Sequence, residues 1–372
     1  MNRVEKLHIG IAGACARGRA FLSGLSARES VACIAAVCDT DAEGLQQVRR
    51  QTGAEHAFTC FDDLLSCGGL DAVVVATPMH LHAGQSAAAL DAGLHVLSEV
   101  TAAVDLEQCR RLVRAAQRSS GLYMLAENCN YTVPNLVVAA LVDQGLFGTP
   151  YFADGEYLHE VKALNERTPW RRRWQTGVDG ITYGTHSLGP ILRWLPGRVT
   201  EVCCAGSGHH HLDPRGDAYH QDTHVMLGRL SGGGLVKLRV DMISDRPSVT
   251  TTYQLQGTDG CYESARAPGE RHRLWLRSRS PDEGTWLDLE DLVEEFLPAR
   301  WSGTVGDRQG HGGSDARVIC AFVDAVRGDS PAELGVHEAM DQTLPGLVSQ
   351  TSMAAGGGWH PVPDSRAWTG TP

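Results

Sequence analysis

The sequence has no apolar run of the roughly 20 residues that a membrane-spanning helix needs. Its first residues lead directly into a short apolar stretch, so we expect no signal peptide and a cytoplasmic location. The 11 cysteines are odd in number and form no C-x-x-C pair. This spacing argues against a disulfide framework or a cysteine metal site and predicts reduced thiols.

Basic residues are scarce. Lys and Arg total 33 against 44 Asp and Glu, which gives a formal net charge of −11. This balance argues against a nucleic-acid partner and is compatible with cationic small molecules. The one basic cluster, at residues 170–174, is therefore interpreted as a pocket or surface loop.

Several histidines raise the question of a metal site. They are His209, His210, His211, His220 and His224, with Asp222 among them. His220 and His224 would share one face of a helix. The segment is rich in Gly, Asp and Pro, however, so it predicts a loop that runs into a strand and breaks this geometry. We predict no metal.

Tryptophan is absent from the first part of the chain, since all eight lie between Trp170 and Trp368. That first part alternates short apolar runs with helical patterns, which predicts a doubly wound parallel sheet. Later runs, at 151–157, 201–205, 224–230, 234–243 and 250–257, predict the strands of an open, mostly antiparallel sheet. We therefore expect an α/β protein, with a Rossmann dinucleotide-binding domain at 1–128 and an α+β domain at 129–372. A helix over 315–327 should return toward the first domain, and the tail from 356 should be loose or an oligomer arm.

A glycine-rich turn follows the first apolar run. It has the pattern G-x-G-x-x-G except that Cys15 replaces the middle glycine, and it consists of Gly13, Ala14, Cys15, Ala16, Arg17 and Gly18. In a strand–turn–helix unit such a turn holds the pyrophosphate of a dinucleotide at the helix N-terminus. The small Cys15 side chain should crowd this site without closing it.

Asp39 ends the second apolar run, about 20 residues past the glycines. An acid at this position accepts hydrogen bonds from the adenosine ribose and repels a 2′-phosphate. The sequence therefore predicts NAD rather than NADP as the cofactor.

Further motifs identify a family. Residues 76–82, Ala-Thr-Pro-Met-His-Leu-His, resemble the A-T-P-x-x-x-H signature of the glucose–fructose oxidoreductase / inositol dehydrogenase (Gfo/Idh/MocA) family. The resemblance also covers Gly13–Gly18, Asp39, residues 256–260 and residues 314–324. It implies that Thr77, Pro78, His80 and His82 lie at the cofactor.

One departure from the family is important for the chemistry. The family usually carries E-K-P after the fifth strand, with the Lys as the proton-transfer residue. Here Glu99 is retained, but Val100 and Thr101 replace the Lys and Pro. The resemblance places Glu99 at the cofactor. Because Val cannot move a proton, the usual catalytic assignment does not apply.

Other stretches are similar to the NAD-dependent glycosidase branch of this family, which also lacks that Lys. They lie at residues 127–131, 145–148, 157–159, 170–171 and 183–190. By this resemblance, Tyr183 and His186 of the Y-x-T-H segment sit at the reacting carbon. It also implies a pocket and cofactor set composed of Tyr131, His159, His311, Asn128, Trp170 and Arg171.

The resemblance leaves three functions open. The first is an NAD-dependent dehydrogenase that oxidises a secondary hydroxyl of a sugar, with His186 as base, Tyr183 as its partner, and Tyr131 in a proton-transfer or aromatic packing role. An amino sugar such as an aminoglycoside antibiotic intermediate would suit the acidic balance. The second is a glycosidase that oxidises the sugar only transiently. The third is a non-catalytic NAD-binding regulator. The resemblance to the family also implies a homo-oligomer, either a dimer or a tetramer.

Overall fold

The structure is a computed structural model, and it describes residues 6–212, 215–216, 220–247, 250–302 and 311–368. The described residues form two compact units. Unit 1 comprises 6–131, 311–340 and 365–368. Unit 2 comprises the described residues of 132–302 together with 341–364.

Unit 1 contains a parallel sheet with the strand order β3-β2-β1-β4-β5-β6. Its strands are β1 (Leu7–Ala12), β2 (Ala32–Cys38), β3 (His56–Phe58), β4 (Ala72–Val75), β5 (His95–Ser98) and β6 (Tyr123–Leu125). The order reverses between β1 and β4, and dinucleotides bind at the carboxyl ends of the strands at such a point. This arrangement confirms the expected Rossmann domain.

The helices of unit 1 follow the predicted strand–helix alternation. They are α1 (Leu22–Ala27), α2 (Ala42–Thr52), α3 (Phe61–Ser66), α4 (His82–Asp91), α5 (Leu106–Arg118) and α11 (Ser314–Val326). The last of these follows residues 132–302 of unit 2 in the chain. The carboxylates of Asp41 and Asp105 cap α2 and α5 by accepting from Gly44 N and Gln108 N. The helix expected at Arg17 begins as a 3₁₀ turn, Arg17–Phe21, in which Arg19 N donates to Ala16 O.

Unit 2 contains a mixed sheet with the order β14-β13-β12-β11-β7-β10-β9-β8-β15. Its strands are β7 (Pro150–Leu158), β8 (Val199–Gly206), β9 (Thr223–Leu230), β10 (Leu235–Asp241), β11 (Thr251–Gly257), β12 (Gly260–Glu263), β13 (Arg273–Leu276), β14 (Leu287–Asp288) and β15 (His360–Pro361). All neighbouring strands of this sheet are antiparallel except β7 and β10, which run parallel. The predicted open, mostly antiparallel sheet is confirmed.

The helices of unit 2 are α6 (Val133–Asp143), α7 (Lys162–Arg167), α8 (Pro169–Trp174), α9 (Thr185–Trp194) and α10 (Val293–Phe296). A long helix, α12 (Val336–Ala354), begins in unit 1 and ends in unit 2. The local sequence pattern does not predict α12, because Pro345 and Gly346 are poor helix formers in its middle. Residues 170–174, expected in a loop, instead form α8, with Pro169 at its first turn.

The tail is more ordered than expected over residues 356–368. His360 and Pro361 pair with Val202 and Glu201 of β8. Residues 369–372 lie outside the described residues. Within the described part of the chain, no helix combines the length and apolarity needed to cross a membrane.

Candidate functional site

The glycine-rich turn of unit 1 requires glycine at two positions. Gly13 has a φ of +80°, and a Cβ there would lie 2.3 Å from the carbonyl oxygen of Ala76. A Cβ on Gly18 would lie 2.7 Å from the carbonyl oxygen of Gly13. The first glycine therefore makes the tight turn, and the second lets the following helical turn pack closely on it.

Asp39 is tied to this turn by backbone amides. Its carboxylate accepts hydrogen bonds from Cys15 N at 2.8 Å and from Asp41 N at 3.1 Å. Burial and the nearby charges of Asp39 and Asp41 raise the pKa of the Cys15 thiol to about 11. Cys15 is thus a neutral thiol at pH 7, and it adds no charge where a pyrophosphate would approach.

Arg17 makes an ion-pair network inside unit 1. Its Nε donates to Glu99 Oε1 at 2.6 Å, while its two terminal nitrogens donate to both oxygens of Asp315 at 2.6 and 3.1 Å. Asn128 Nδ2 also donates to Asp315, at 2.9 Å. Burial by itself raises the pKa of Asp315, but hydrogen bonds from His311 and Arg17 hold that pKa well below its usual range.

His311 lies at the edge of this network. Its Nδ1 is 2.8 Å from Asp315 Oδ2, and the side chain is 62% exposed. His311 has a φ of 47°, which is unusual for a residue with a side chain. The buried Arg317 donates to the carbonyl oxygens of Tyr131 and Gly312, at 3.2 and 3.1 Å. Unit 1 therefore brings the turns that carry Tyr131 and His311 together.

The Thr77–Pro78 segment follows β4 and contacts the segment after β5 through His82. The buried His82 ring has Nε2 2.7 Å from Thr77 O and Nδ1 2.8 Å from Thr101 O. Burial lowers the pKa of His82, and the ring lies between the two loops. His80 lies in the 3₁₀ turn Met79–Leu81.

The position of the missing Lys is apolar. Val100 is 3% exposed, and the peptide bond between Val100 and Thr101 is cis. Glu99 Oε2 accepts from Val100 N at 3.2 Å. The carboxylate of Glu99 is thus engaged by Arg17 and by the backbone.

Unit 2 gathers four aromatic and imidazole rings. The ring centroid of Tyr157 lies 5.4 Å from that of Tyr183, 5.3 Å from that of His186 and 5.7 Å from that of His159. The Tyr183 and His186 rings are 5.0 Å apart and edge to face. Tyr157 Oη also lies 2.8 Å from His159 Nδ1. We call Tyr157, His159, Tyr183 and His186 the ring cluster.

Tyr157 is a member of the cluster that the sequence motifs do not assign to the site. Its signal is the alternation along β7, which places it on the same face as Ala153 and Gly155. A hydrogen bond from β11 holds the backbone of His186: Tyr253 Oη donates to the carbonyl oxygen of His186 at 2.6 Å. His186 lies in the first turn of α9.

Trp170 and Arg171 lie next to each other on α8. The Arg171 guanidinium is 4.4 Å from the centre of the Trp170 ring and donates to Gln175 Oε1 at 2.8 Å. Such stacking fixes a cationic side chain on an aromatic face. Their assignment to the nicotinamide side stays a prediction.

Three further histidines of unit 2 lie beside carboxylates. His211 Nδ1 lies 2.9 Å from Asp222, while His220 and His224 both approach Asp179. His224 is part of β9 and His220 precedes it, so the two do not share a helix. This is the loop-to-strand arrangement that the composition predicts.

The residues of unit 1 fit a dinucleotide. The turn leaves no room for a side chain at Gly13 or Gly18, and the Asp39 carboxylate lies beside the turn at the end of β2. Ala14 and Ala16 add only methyl groups. Unit 1 thus carries a dinucleotide turn with its ion-pair network, and unit 2 carries the ring cluster.

Comparison with known proteins gives three family models. Residues 7–127 match the oxidoreductase family with an NAD-binding Rossmann fold. Residues 136–263 match the GFO/IDH/MocA C-terminal domain, and residues 219–369 match the C-terminal domain of glycosyl hydrolase 109.

Similar proteins agree with these matches. A glycosyl hydrolase family 109 protein of Saccharopolyspora erythraea is 28% identical, over 94% of this chain and 81% of its own. One from Shewanella pealeana is 26% identical, over 94% and 83%.

Solved structures share the fold. The WlbA dehydrogenase from Bordetella pertussis, in complex with NADH and UDP-GlcNAcA, has a TM-score of 0.79 at 22% identity, covering 96% of this chain and 98% of its own. A levoglucosan dehydrogenase, in complex with NADH and levoglucosan, has a TM-score of 0.78 at 19% identity, covering 97% and 100%.

Proposed function

Because the chain belongs to the Gfo/Idh/MocA family of NAD-binding oxidoreductases, we propose that it is an enzyme that oxidises a secondary hydroxyl of a sugar with NAD. The observation that carries this proposal is the ring cluster of unit 2. Two tyrosines and two histidines lie with neighbouring ring centroids between 5.0 and 5.7 Å apart. Such a set can hold a hydroxyl by hydrogen bonds and accept its proton.

In this proposal His186 takes the hydroxyl proton and Tyr183 orients the same oxygen. Bound NAD supplies the acceptor for the hydride. An imidazole titrates near neutral pH, whereas a phenol needs a strongly lowered pKa before it can act as a base. Val100 leaves unit 1 without the family's Lys at that position, so the base has to come from another residue.

Further assignments belong to the same proposal. Asp39 selects NAD over NADP through the adenosine ribose. His159, His311 and Tyr131 contact the sugar, and Trp170 and Arg171 border the nicotinamide. The net charge of −11 favours an amino sugar, such as an aminoglycoside intermediate of antibiotic biosynthesis, as substrate.

A second function has a specific observation in its favour. Residues 219–369 match the C-terminal domain of glycosyl hydrolase 109. A glycosidase of this kind would oxidise a ring hydroxyl transiently, eliminate the aglycone, add water to the double bond that elimination leaves, and return the hydride. Its first step is the same as that of the dehydrogenase, so the ring cluster serves both.

One experiment separates the two. The protein is incubated with NAD and a panel of glycosides and amino glycosides, and both NADH absorbance and aglycone release are followed. We expect NADH in proportion to oxidised sugar, an intact glycosidic bond and no solvent deuterium at C2. Aglycone release without net NADH, with deuterium at C2, would establish the glycosidase instead, because elimination removes the C2 proton beside the transient ketone.

We also propose a cytoplasmic homo-oligomer. All eleven cysteines are free thiols, which suits a reducing compartment.

The sheet face opposite Tyr157 presents ion pairs along β7 and β10, including Lys237 with Asp154 and Arg239 with Glu156. Light scattering coupled to size-exclusion chromatography tests this: we expect a dimer or a tetramer, and a monomeric mass would contradict it.

A further inference from the structure

The segment that joins α8 to α9, residues 175–184, carries Tyr183 and is anchored on two sides. On one side Ile181 N donates to Ser349 Oγ of α12 at 2.8 Å. On the other side the Asp179 carboxylate lies against β9 and the residues before it. Tyr183 follows both anchors closely in the chain, so its position depends on them.

Asp179 has three partners near β9. Its Oδ1 accepts from Gln221 N at 3.0 Å and lies 3.4 Å from His224 Nε2, while Oδ2 lies 3.6 Å from His220 Nδ1. Burial raises the pKa of Asp179, but the hydrogen bonds from Gln221 and His224 outweigh this and leave it below the usual value. Asp179 is therefore a carboxylate at neutral pH.

His224 is the buried member of this group, with a side chain only 8% exposed. Burial lowers the pKa of His224, so its ring is neutral at pH 7. A neutral ring with its proton on Nε2 donates that proton to the Asp179 carboxylate. If the ring turned away, the Asp179 carboxylate would lose this hydrogen bond.

Strand register relates this anchor to the ring cluster. Tyr157 of β7 pairs with Val240 of β10, and Val240 pairs with His224 of β9. Residues paired in this way point to the same face of a sheet, and two strand spacings amount to roughly 10 Å. The His224 side chain, which contacts Asp179, thus lies on the same sheet face as Tyr157, the residue against which Tyr183 packs.

We infer that Asp179 is a positioning residue for the ring cluster, acting through His224 and the backbone of Gln221. This inference rests on the proposed function, in which Tyr183 orients the reacting hydroxyl. Asp179 itself does not take part in proton transfer. It fixes the segment so that the Tyr183 ring stays beside Tyr157 and His186.

The test is the variant Asp179→Ala, which removes both acceptor oxygens, compared with Asp143→Ala. Asp143 is exposed in the same unit and pairs with Arg193, so it is a matched control. Because misplacing a reacting group by about 1 Å can cost 100-fold in rate, we expect kcat to fall roughly 10- to 100-fold in Asp179→Ala. The KM for the sugar and the Kd for NAD should change less than about twofold, and the control should match the wild type.

Hydrogen exchange gives a readout that does not depend on activity. The amides of Ile181 and Tyr183 should exchange faster in Asp179→Ala than in the wild type, and unchanged exchange would overturn the inference. A wild-type protein that oxidises no sugar would refute the proposed function, while the exchange data would still decide the role of Asp179.

A second variant tests the route through His224. If Asp179 acts through His224, His224→Leu, which has no donor, should lower kcat in the same way, and the double variant should lose no more than the larger single loss. Losses that multiply would show that the two residues act independently, which would overturn the inference.

Discussion

Arg17 and Asp315, which are 298 positions apart in the chain, form a two-pronged ion pair with N–O distances of 2.6 and 3.1 Å. Arg17 belongs to the glycine-rich turn, and Asp315 lies in the first turn of α11. The pair therefore joins the dinucleotide turn to a helix that follows residues 132–302 of unit 2 in the chain.

We predict that Asp315→Asn destabilises the protein by roughly 2–4 kcal/mol at pH 7, because it removes one partner of a largely buried pair. The folded-state pKa of Asp315 is depressed, with burial opposing and hydrogen bonds from His311 and Arg17 prevailing. Its contribution is therefore complete above the unfolded pKa of about 4 and is lost as the pH falls through the folded one. Urea unfolding at pH 7 and at lower pH measures this.

The control for Asp315 is Asp324→Asn on the same helix. Asp324 pairs with Arg28, but both side chains are more exposed, so its loss should cost less than about 1 kcal/mol. Equal losses for the two variants would show that burial of the Arg17 pair adds nothing.

The second prediction concerns Cys15 in the place of the middle glycine. If the pyrophosphate meets this part of the turn, Cys15→Gly should bind NAD at least as tightly as the wild type, and Cys15→Leu much more weakly. Calorimetric titration with NAD measures both. Leu without effect would mean that the pyrophosphate lies elsewhere.

Asp39 leads to a prediction on cofactor choice. Its carboxylate should accept hydrogen bonds from the ribose and repel a 2′-phosphate, so NAD should bind more tightly than NADP. Asp39→Ser should narrow this difference, while Asp62→Ser, a change of an exposed acid in α3, should leave it intact. A wild-type protein with equal Kd values for the two cofactors would contradict the assignment.

The fourth prediction concerns the base. His186→Ala should lower turnover by about 10²–10⁴-fold, the usual contribution of general-base catalysis, with little change in NAD affinity. Tyr183→Phe should cost less if Tyr183 only orients the hydroxyl. Oxidation by the wild type should rise with pH over the range where an imidazole loses its proton, since only the neutral ring accepts one.

The exposed His56 of β3 supplies a control, and His56→Ala should behave as the wild type. If His186→Ala retained normal turnover and the same pH profile, Tyr131 and His159 would be the next candidates for the base. Introducing Lys at Val100 should not rescue His186→Ala unless the site keeps the usual family geometry.

Local patterns were sufficient to predict most of the fold. The apolar runs of unit 1 indicate its central strands, such as β4, because parallel strands that are buried on both faces appear as continuous apolar runs. The helix α12 was missed, since Pro345 and Gly346 weaken its local signal and only packing in the folded protein favours it. The charge balance predicts a pocket or surface loop at residues 170–174, whereas these residues lie in α8, which begins at Pro169.

The sequence predicts the types of residue in the candidate site better than their partners. The positions of Gly13, Gly18 and Asp39 follow from one short strand–turn–helix unit. By contrast, the engagement of Arg17 by Asp315 and the central place of Tyr157 depend on contacts between distant segments. No local pattern contains such contacts.

The distance between Arg17 and Asp315 also has a consequence during synthesis. At roughly 5–20 residues per second, about 15–60 s separate the emergence of the glycine-rich turn from that of its ion-pair partner. For this period the nascent Rossmann strands can pair, but Arg17 and Glu99 lack the carboxylate that completes their network. A ribosome-bound chain stopped before α11 should therefore hold NAD less tightly than the released protein, so a helix made late in synthesis determines when the glycine-rich turn becomes competent to bind NAD.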